Sequence, residues 1–165
     1  MKQENCDSLR LKNQLGFKLY AAARKVTCKY TTLLKKIDLT YTQYIVMLVL
    51  WEKETITVGE LGKCLCLDTG TLSPLLKTME TRGIITRSRD KSDERVVMVS
   101  ITDSGRELKK NAFYVPIEIE KQMTISHEEA VTLSEILCKI IGESAPYSCY
   151  DGENDKGKKV CGDDC

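Results

Sequence analysis

The chain has 165 residues, 42% hydrophobic and 30% charged, the balance of a globular protein of one domain. Its net charge of +1 lacks the overall excess of a strongly basic nucleic-acid binder, but residues 143–165 hold six acids against three lysines, leaving residues 1–142 at +4. No apolar run reaches membrane-spanning length and MKQENCDSLRLKNQ has no signal-peptide core, so the expected location is the cytoplasm.

Residues 9–36 read as one long helix. Leu9, Leu11, Leu15, Leu19, Ala22, Val26, Leu33 and Leu34 form a broken apolar stripe, longer than a small core needs, which predicts contact with a second subunit. Asp38-Leu39-Thr40 reads as a cap. Residues 41–54 are apolar almost all round (Ile45, Val46, Leu48, Val49, Leu50, Trp51) and predict a central buried helix. Val58, Leu61, Leu65 and Leu67 give a shorter apolar face.

The most informative run follows, Asp68 to Gly83. Asp68 and Thr69 are good N-cap residues, because a short side-chain oxygen satisfies free amides of the first turn. Leu72, Leu75, Leu76 and Met79 recur at helical spacing, leaving Thr69, Thr71, Ser73 and Lys77 outside the stripe. Gly83 can take the left-handed conformation that closes a helix. Pro74 lacks the amide that would bond the carbonyl of Gly70, which predicts a kink or a later start. Residues 84–89 and 96–101 read as strands joined by a charged hairpin tip, Asp90 to Arg95.

Thr102 or Asp103 caps the next helix, which runs to about Met123 with Pro116 expected to kink it. Ser126 and Glu129 form a capping-box pattern ahead of a last helix that Gly142 stops. Residues 143–165 are too polar to bury much surface and read as a flexible tail.

No catalytic constellation is visible: no Walker-type loop, GxGxxG, HExxH or supportable Ser–His–Asp set. The single histidine, His127, reads as an exposed first-turn residue. No enzyme activity, cofactor or metal is expected. Cys64 and Cys66 lie two apart on a helix and point to different sides, and the spacing of Cys149, Cys161 and Cys165 is a weak zinc pattern. Eight cysteines in a cytoplasmic chain predict free thiols rather than structural disulfides. Cys28, Cys64, Cys66 and Cys138 are expected to be buried and inert, and Cys6 and the tail cysteines exposed.

Helix, turn, helix and basic hairpin is the layout of a winged helix-turn-helix, in which a preorganised helix enters the major groove and cations on the wing meet phosphates. The same pattern also fits a helical subdomain with a hairpin and no nucleic acid. The residues say more. Leu67-Asp-Thr-Gly-Thr-Leu-Ser-Pro-Leu-Leu-Lys-Thr-Met-Glu80, then Gly83-Ile-Ile-Thr-Arg87, Asp93-Glu-Arg95 and Ile101-Thr-Asp-Ser-Gly105, resemble the MarR family of transcription regulators. The match extends upstream through Asn13-Gln-Leu15, Leu19-Tyr-Ala-Ala-Ala-Arg24, Leu39-Thr-Tyr-Thr-Gln-Tyr44 and Leu50-Trp-Glu52, and is similar to the organic-hydroperoxide-sensing OhrR branch.

The resemblance implies a mainly α fold with a small β-hairpin wing, in a MarR-type homodimer. One domain would span 1–142, with the DNA-reading unit at about 57–102 and dimerisation helices at about 9–36 and 103–142. It implies a DNA-binding regulator, expected to be a repressor, on a pseudo-palindromic operator. Contacts would come from Thr69, Thr71, Ser73 and Lys77 on the helix and from Arg87, Arg89, Asp93 and Arg95 on the wing. The alternative is a dimeric protein-interaction module that has lost DNA binding. In the OhrR branch a thiol near the start of the first helix is oxidised by peroxide, held by tyrosines of the partner subunit. Gly16 stands at that position here, while Tyr20, Tyr30 and Tyr41 remain. Three readings stay open: sensing is lost, another thiol such as Cys6 or Cys28 has taken over, or the pocket accepts a small-molecule inducer.

Overall fold

A computed structural model of the chain describes residues 7–142. Cys6 and residues 143–165, with the expected tail and its cysteines, lie outside them. The elements are α1 (Leu15–Leu34), α2 (Tyr41–Lys53), β1 (Thr55–Thr57), α3 (Val58–Leu65), α4 (Thr69–Thr81), β2 (Ile85–Arg89), β3 (Val97–Ile101), α5 (Asp103–Ala112), α6 (Tyr114–Gln122) and α7 (His127–Ile141).

The helix expected over 9–36 is in pieces. A 3₁₀ turn at Leu11–Asn13 precedes α1, with Gln14 extended between them (φ −86°, ψ 114°). The Asn13 side chain donates to the Asp7 carbonyl at 2.7 Å and the Gln14 side chain to the Ser8 carbonyl, local bonds that compete with continuous helix. A second 3₁₀ turn, Lys35–Ile37, ends at Asp38, which is left-handed (φ 53°). Thr40 then caps α2 through a capping box with Gln43. Val46, Met47 and Leu50 on α2 are wholly buried, but Leu48 faces out, so burial is not all round.

β1 was not expected; at three residues it is too short to show an alternating pattern. It pairs with β3, giving an antiparallel sheet of order β1-β3-β2, with Thr55 opposite Ser100 and their hydroxyls 2.9 Å apart. β3 is therefore flanked on both sides. The helix expected to kink at Pro116 instead breaks at Phe113, between α5 and α6. Pro116 cannot bond the carbonyl of Ala112, and its ring crowds that carbonyl, so the interruption falls one turn upstream. The capping box of Ser126 and Glu129 and the stop at Gly142 (φ 82°) are present as expected.

One core joins Leu34, Met47, Leu50, Leu61, Leu72, Met79, Ile85, Val99 and Val115. Two polar ties join helices distant in sequence. The Trp51 indole N–H donates to the Gly105 carbonyl at 2.8 Å, and the Tyr114 hydroxyl to the Leu33 carbonyl at 2.6 Å. Gly105 is buried against the Ile84 carbonyl, which a Cβ there would approach to 2.2 Å. The apolar side chains of Leu15, Phe17, Phe113, Ile117, Ile136 and Ile140 stay exposed on α1 and on the stretch from α5 to α7.

Candidate nucleic-acid interface

α3 ends at Cys66, left-handed at φ 52°, and two residues later Asp68 caps α4. The Asp68 carboxylate accepts the Thr71 amide at 2.9 Å and its hydroxyl at 2.8 Å. Those two bonds, hydroxyl first, hold the carboxyl below its ordinary range. α4 buries Leu72, Leu76 and Met79 and leaves Thr69, Thr71, Ser73 and Lys77 exposed, the division its periodicity predicts. The Ser73 hydroxyl donates to the Thr69 carbonyl at 2.8 Å. With their hydrogens engaged inside the helix, Thr71 and Ser73 present acceptor lone pairs outward. Pro74 neither delays nor divides α4, which runs from Thr69 to Thr81 around it.

The hairpin tip is held by local hydrogen bonds. The Asp90 carboxylate accepts the Ser92 amide (2.7 Å), the Ser92 hydroxyl and the Asp93 amide (3.3 Å). The Ser92 bonds pull its carboxyl downward from the usual range. Asp93 accepts the Arg95 amide at 3.0 Å, and the Arg89 guanidinium donates to the Glu94 carbonyl at 2.9 Å. The Arg95 side chain is 93% exposed, 3.5 Å from Asp93.

Arg87 is placed differently. Its guanidinium donates to Glu80 at 3.0 and 2.7 Å, and its amide donates to the same carboxylate at 3.1 Å. These bonds lower the Glu80 carboxyl. Arg87 therefore clamps β2 to α4, whereas Lys77 and Arg95 point outward. Between the start of α3, α4 and the wing lies a cleft of about 390 Å³ whose walls include Thr69, Ser73, Arg87 and Arg95. A polar helix face beside an exposed arginine on a rigid tip can offer groove and backbone contacts together.

The tyrosines form a second group. Tyr30 packs on Tyr41 (ring centroids 4.9 Å) and Tyr44 (5.9 Å), and Tyr44 meets Trp51 edge-on at 6.2 Å. Burial first, then neighbouring tyrosines, pushes the Tyr30 and Tyr44 hydroxyls upward in pKa, so they remain protonated donors. Tyr44 and Trp51 belong to this cluster although only Tyr30 and Tyr41 were expected; their spacing of seven on one helix face was the available signal. Tyr20 stands apart, 58% exposed, its hydroxyl accepting from Arg24 at 3.0 Å. Gly16 is exposed, with nothing within 4 Å of an added Cβ. It lies about 21 Å up α1 from Tyr30, so one chain does not bring the two together.

The thiols correct the expectation of four buried free cysteines. Cys64 and Cys138 are buried as expected, with desolvation raising the Cys64 pKa, but Cys28 and Cys66 are exposed, and Cys138 is disulfide-bonded rather than free. No helix among the described residues is long and apolar enough to cross a membrane.

Residues 29–112 match the family described as transcriptional regulator SarA/Rot. The chain is 50% identical over 110 residues to the organic hydroperoxide resistance transcriptional regulator of Bacillus subtilis, covering 67% of this chain and 75% of that one. Its fold is similar to that of reduced AbfR bound to DNA (TM-score 0.67, 32% identity, 81% of this chain and 95% of that one). It is also similar to a mutant MarR from E. coli complexed with operator DNA (TM-score 0.71, 25% identity, 78% and 94%).

Proposed function

The chain belongs to the SarA/Rot family of transcriptional regulators, with a MarR-type winged-helix fold, and from that premise we propose that it is a homodimeric repressor reading a pseudo-palindromic operator. The observation that carries this is the pairing of the polar face of α4 with the exposed Arg95 on a hydrogen-bonded wing tip. Thr69, Thr71 and Ser73 would face base edges and Lys77 the backbone, with Arg89, Asp93 and Arg95 forming the wing contact. Arg87 acts through Glu80. Relatives solved on DNA disfavour a dimeric module without DNA binding.

Dimerisation is supported by the apolar side chains left exposed on α1 and α5 to α7, which a second copy would cover. A two-fold axis would set two α4 helices in successive major grooves, with half-sites about one helical turn apart. It would also bring Gly16 of one subunit towards the Tyr30–Tyr41 pair of the other. Residues 1–142 form the regulator and 143–165 an appended segment. With glycine at position 16, a response to peroxide has to use another thiol, Cys6 or Cys28, and otherwise the tyrosine-lined site takes a small molecule.

The test is footprinting of the protein on the DNA upstream of its own reading frame, with and without an organic hydroperoxide. Two protected half-sites in successive turns are expected; the absence of protection at low salt would sink the proposal.

A further inference from the structure

We propose that Arg82 is a positioning residue for DNA reading: it braces the C-terminal end of α4 against the cap of α2 and sets the angle at which α4 meets the groove. The proposal rests on α4 being the DNA-reading helix. Arg82 is the C-cap residue of α4. Its side chain is only 26% exposed, with Nη2 2.9 Å from the Asp38 carboxylate. Nη1 donates to Gln43 Oε1 at 3.4 Å, the oxygen that also accepts the Thr40 amide at 2.9 Å. Gln43 is buried and belongs to the capping box of α2. One guanidinium thus joins the end of α4 to two residues about forty positions earlier in the chain.

The apolar core joins α4 to α1 and α2 only as far as Met79, one turn before Arg82. A cleft of about 540 Å³ lies between the C-terminal half of α4 and the α1–α2 junction, with Lys35, Tyr41 and Thr78 among its walls. Arg82 and its partners span that gap. The start of α4 carries its own cap at Asp68, and the Glu80–Arg87 clamp, two residues before Arg82, ties the C-terminal end to the sheet rather than to α2. Thr71 lies about 16 Å along the axis from Arg82, so a tilt of roughly 5° about the C-terminal end carries it by about 1.4 Å. Hydrogen bonds to bases do not survive such a displacement. The same first turn of α2 carries Tyr41, packed on Tyr30, so movement of that ring pair shifts the foothold of the brace.

The experiment measures binding of a footprinted upstream duplex and of an unrelated duplex of equal length by fluorescence anisotropy at several salt concentrations. The proteins are the native chain, Arg82→Gln, Arg82→Lys, Asp38→Asn and the double variant Arg82→Gln/Asp38→Asn. Asparagine tolerates the left-handed backbone at position 38, and that side chain is 92% exposed, so folding should be retained. Arg82→Gln and Asp38→Asn should each weaken binding to the upstream duplex roughly three- to tenfold, with the unrelated duplex and its salt slope unchanged. The double variant should lose no more than Arg82→Gln alone, and Arg82→Lys should recover part of the loss. Equal losses on both duplexes with a shallower salt slope would make Arg82 a phosphate contact and overturn the proposal, as would native discrimination in both single variants. If Arg82→Gln fails to fold, Asp38→Asn decides alone. If the native chain binds neither duplex, the DNA reading itself fails. Amide hydrogen exchange over residues 79–83 then tests the brace: faster exchange in Asp38→Asn supports it, and unchanged exchange overturns it.

Discussion

Arg95→Ala isolates what the wing contributes to DNA affinity. The side chain is 93% exposed and its carboxylate neighbour, Asp93, already holds the Arg95 amide, so truncation leaves the tip's backbone bonds intact. Stability should not change. A dimer presents two wings, and each phosphate neutralised contributes about 0.9 to the slope of log K against log salt. The variant's slope should therefore be shallower by about 1.8, so over a fourfold rise in salt the native protein's advantage should shrink roughly 12-fold. At the lowest salt that advantage should be on the order of tenfold per wing. Anisotropy titrations at three salt concentrations, with thermal unfolding as a control, give both quantities. Parallel lines for native and variant would refute the reasoning, since an arginine that meets DNA must release counterions.

Gly105→Ala should destabilise by about 1–3 kcal/mol in urea unfolding, because the added Cβ falls 2.2 Å from the Ile84 carbonyl and 2.7 Å from Ile101 Cγ1; equal or higher stability would mean that α5 can lift off the sheet freely. Gly16→Cys should fold normally, there being open space at that Cβ, and should make release from DNA sensitive to organic hydroperoxide; an unresponsive variant would favour a small-molecule inducer. The Asp68 carboxyl is lowered in the folded chain, so the stability it confers is present above its unfolded pKa of about 3.9 and is lost as pH falls through the lower native value. Urea midpoints should therefore drop less in acid for Asp68→Asn than for the native chain, and identical pH profiles would remove Asp68 as a titrating cap.

Much of the reading unit was legible because its signals are local. Asp68, the leucines of α4 and Gly83 announce a start, a buried face and an end within sixteen residues, and Ser126 with Glu129 announces the start of α7. What escaped depends on partners distant in sequence or on elements too short for a period. β1 becomes a strand only because β3 lies beside it. Arg87 reads as one more wing cation until Glu80 is seen to hold it. The break at Phe113 was visible as a proline, but its place was not, since the crowded carbonyl lies four residues before the ring. Gln14 looked like helix because its periodicity continues, while its side chain and that of Asn13 turn back to the preceding carbonyls. For the site, the polar face of α4 followed directly from spacing, whereas the tyrosine group gained Tyr44 and Trp51 and left Tyr20 outside.

Trp51 is the chain's single tryptophan, and its indole is tied to the backbone of α5 where that helix rests on the sheet. It is thus a built-in optical gauge of whether α2 and α5 remain seated on each other. Emission from this one residue, edge-on to Tyr44, will follow the docking of these two helices with no dye attached and no second indole to subtract.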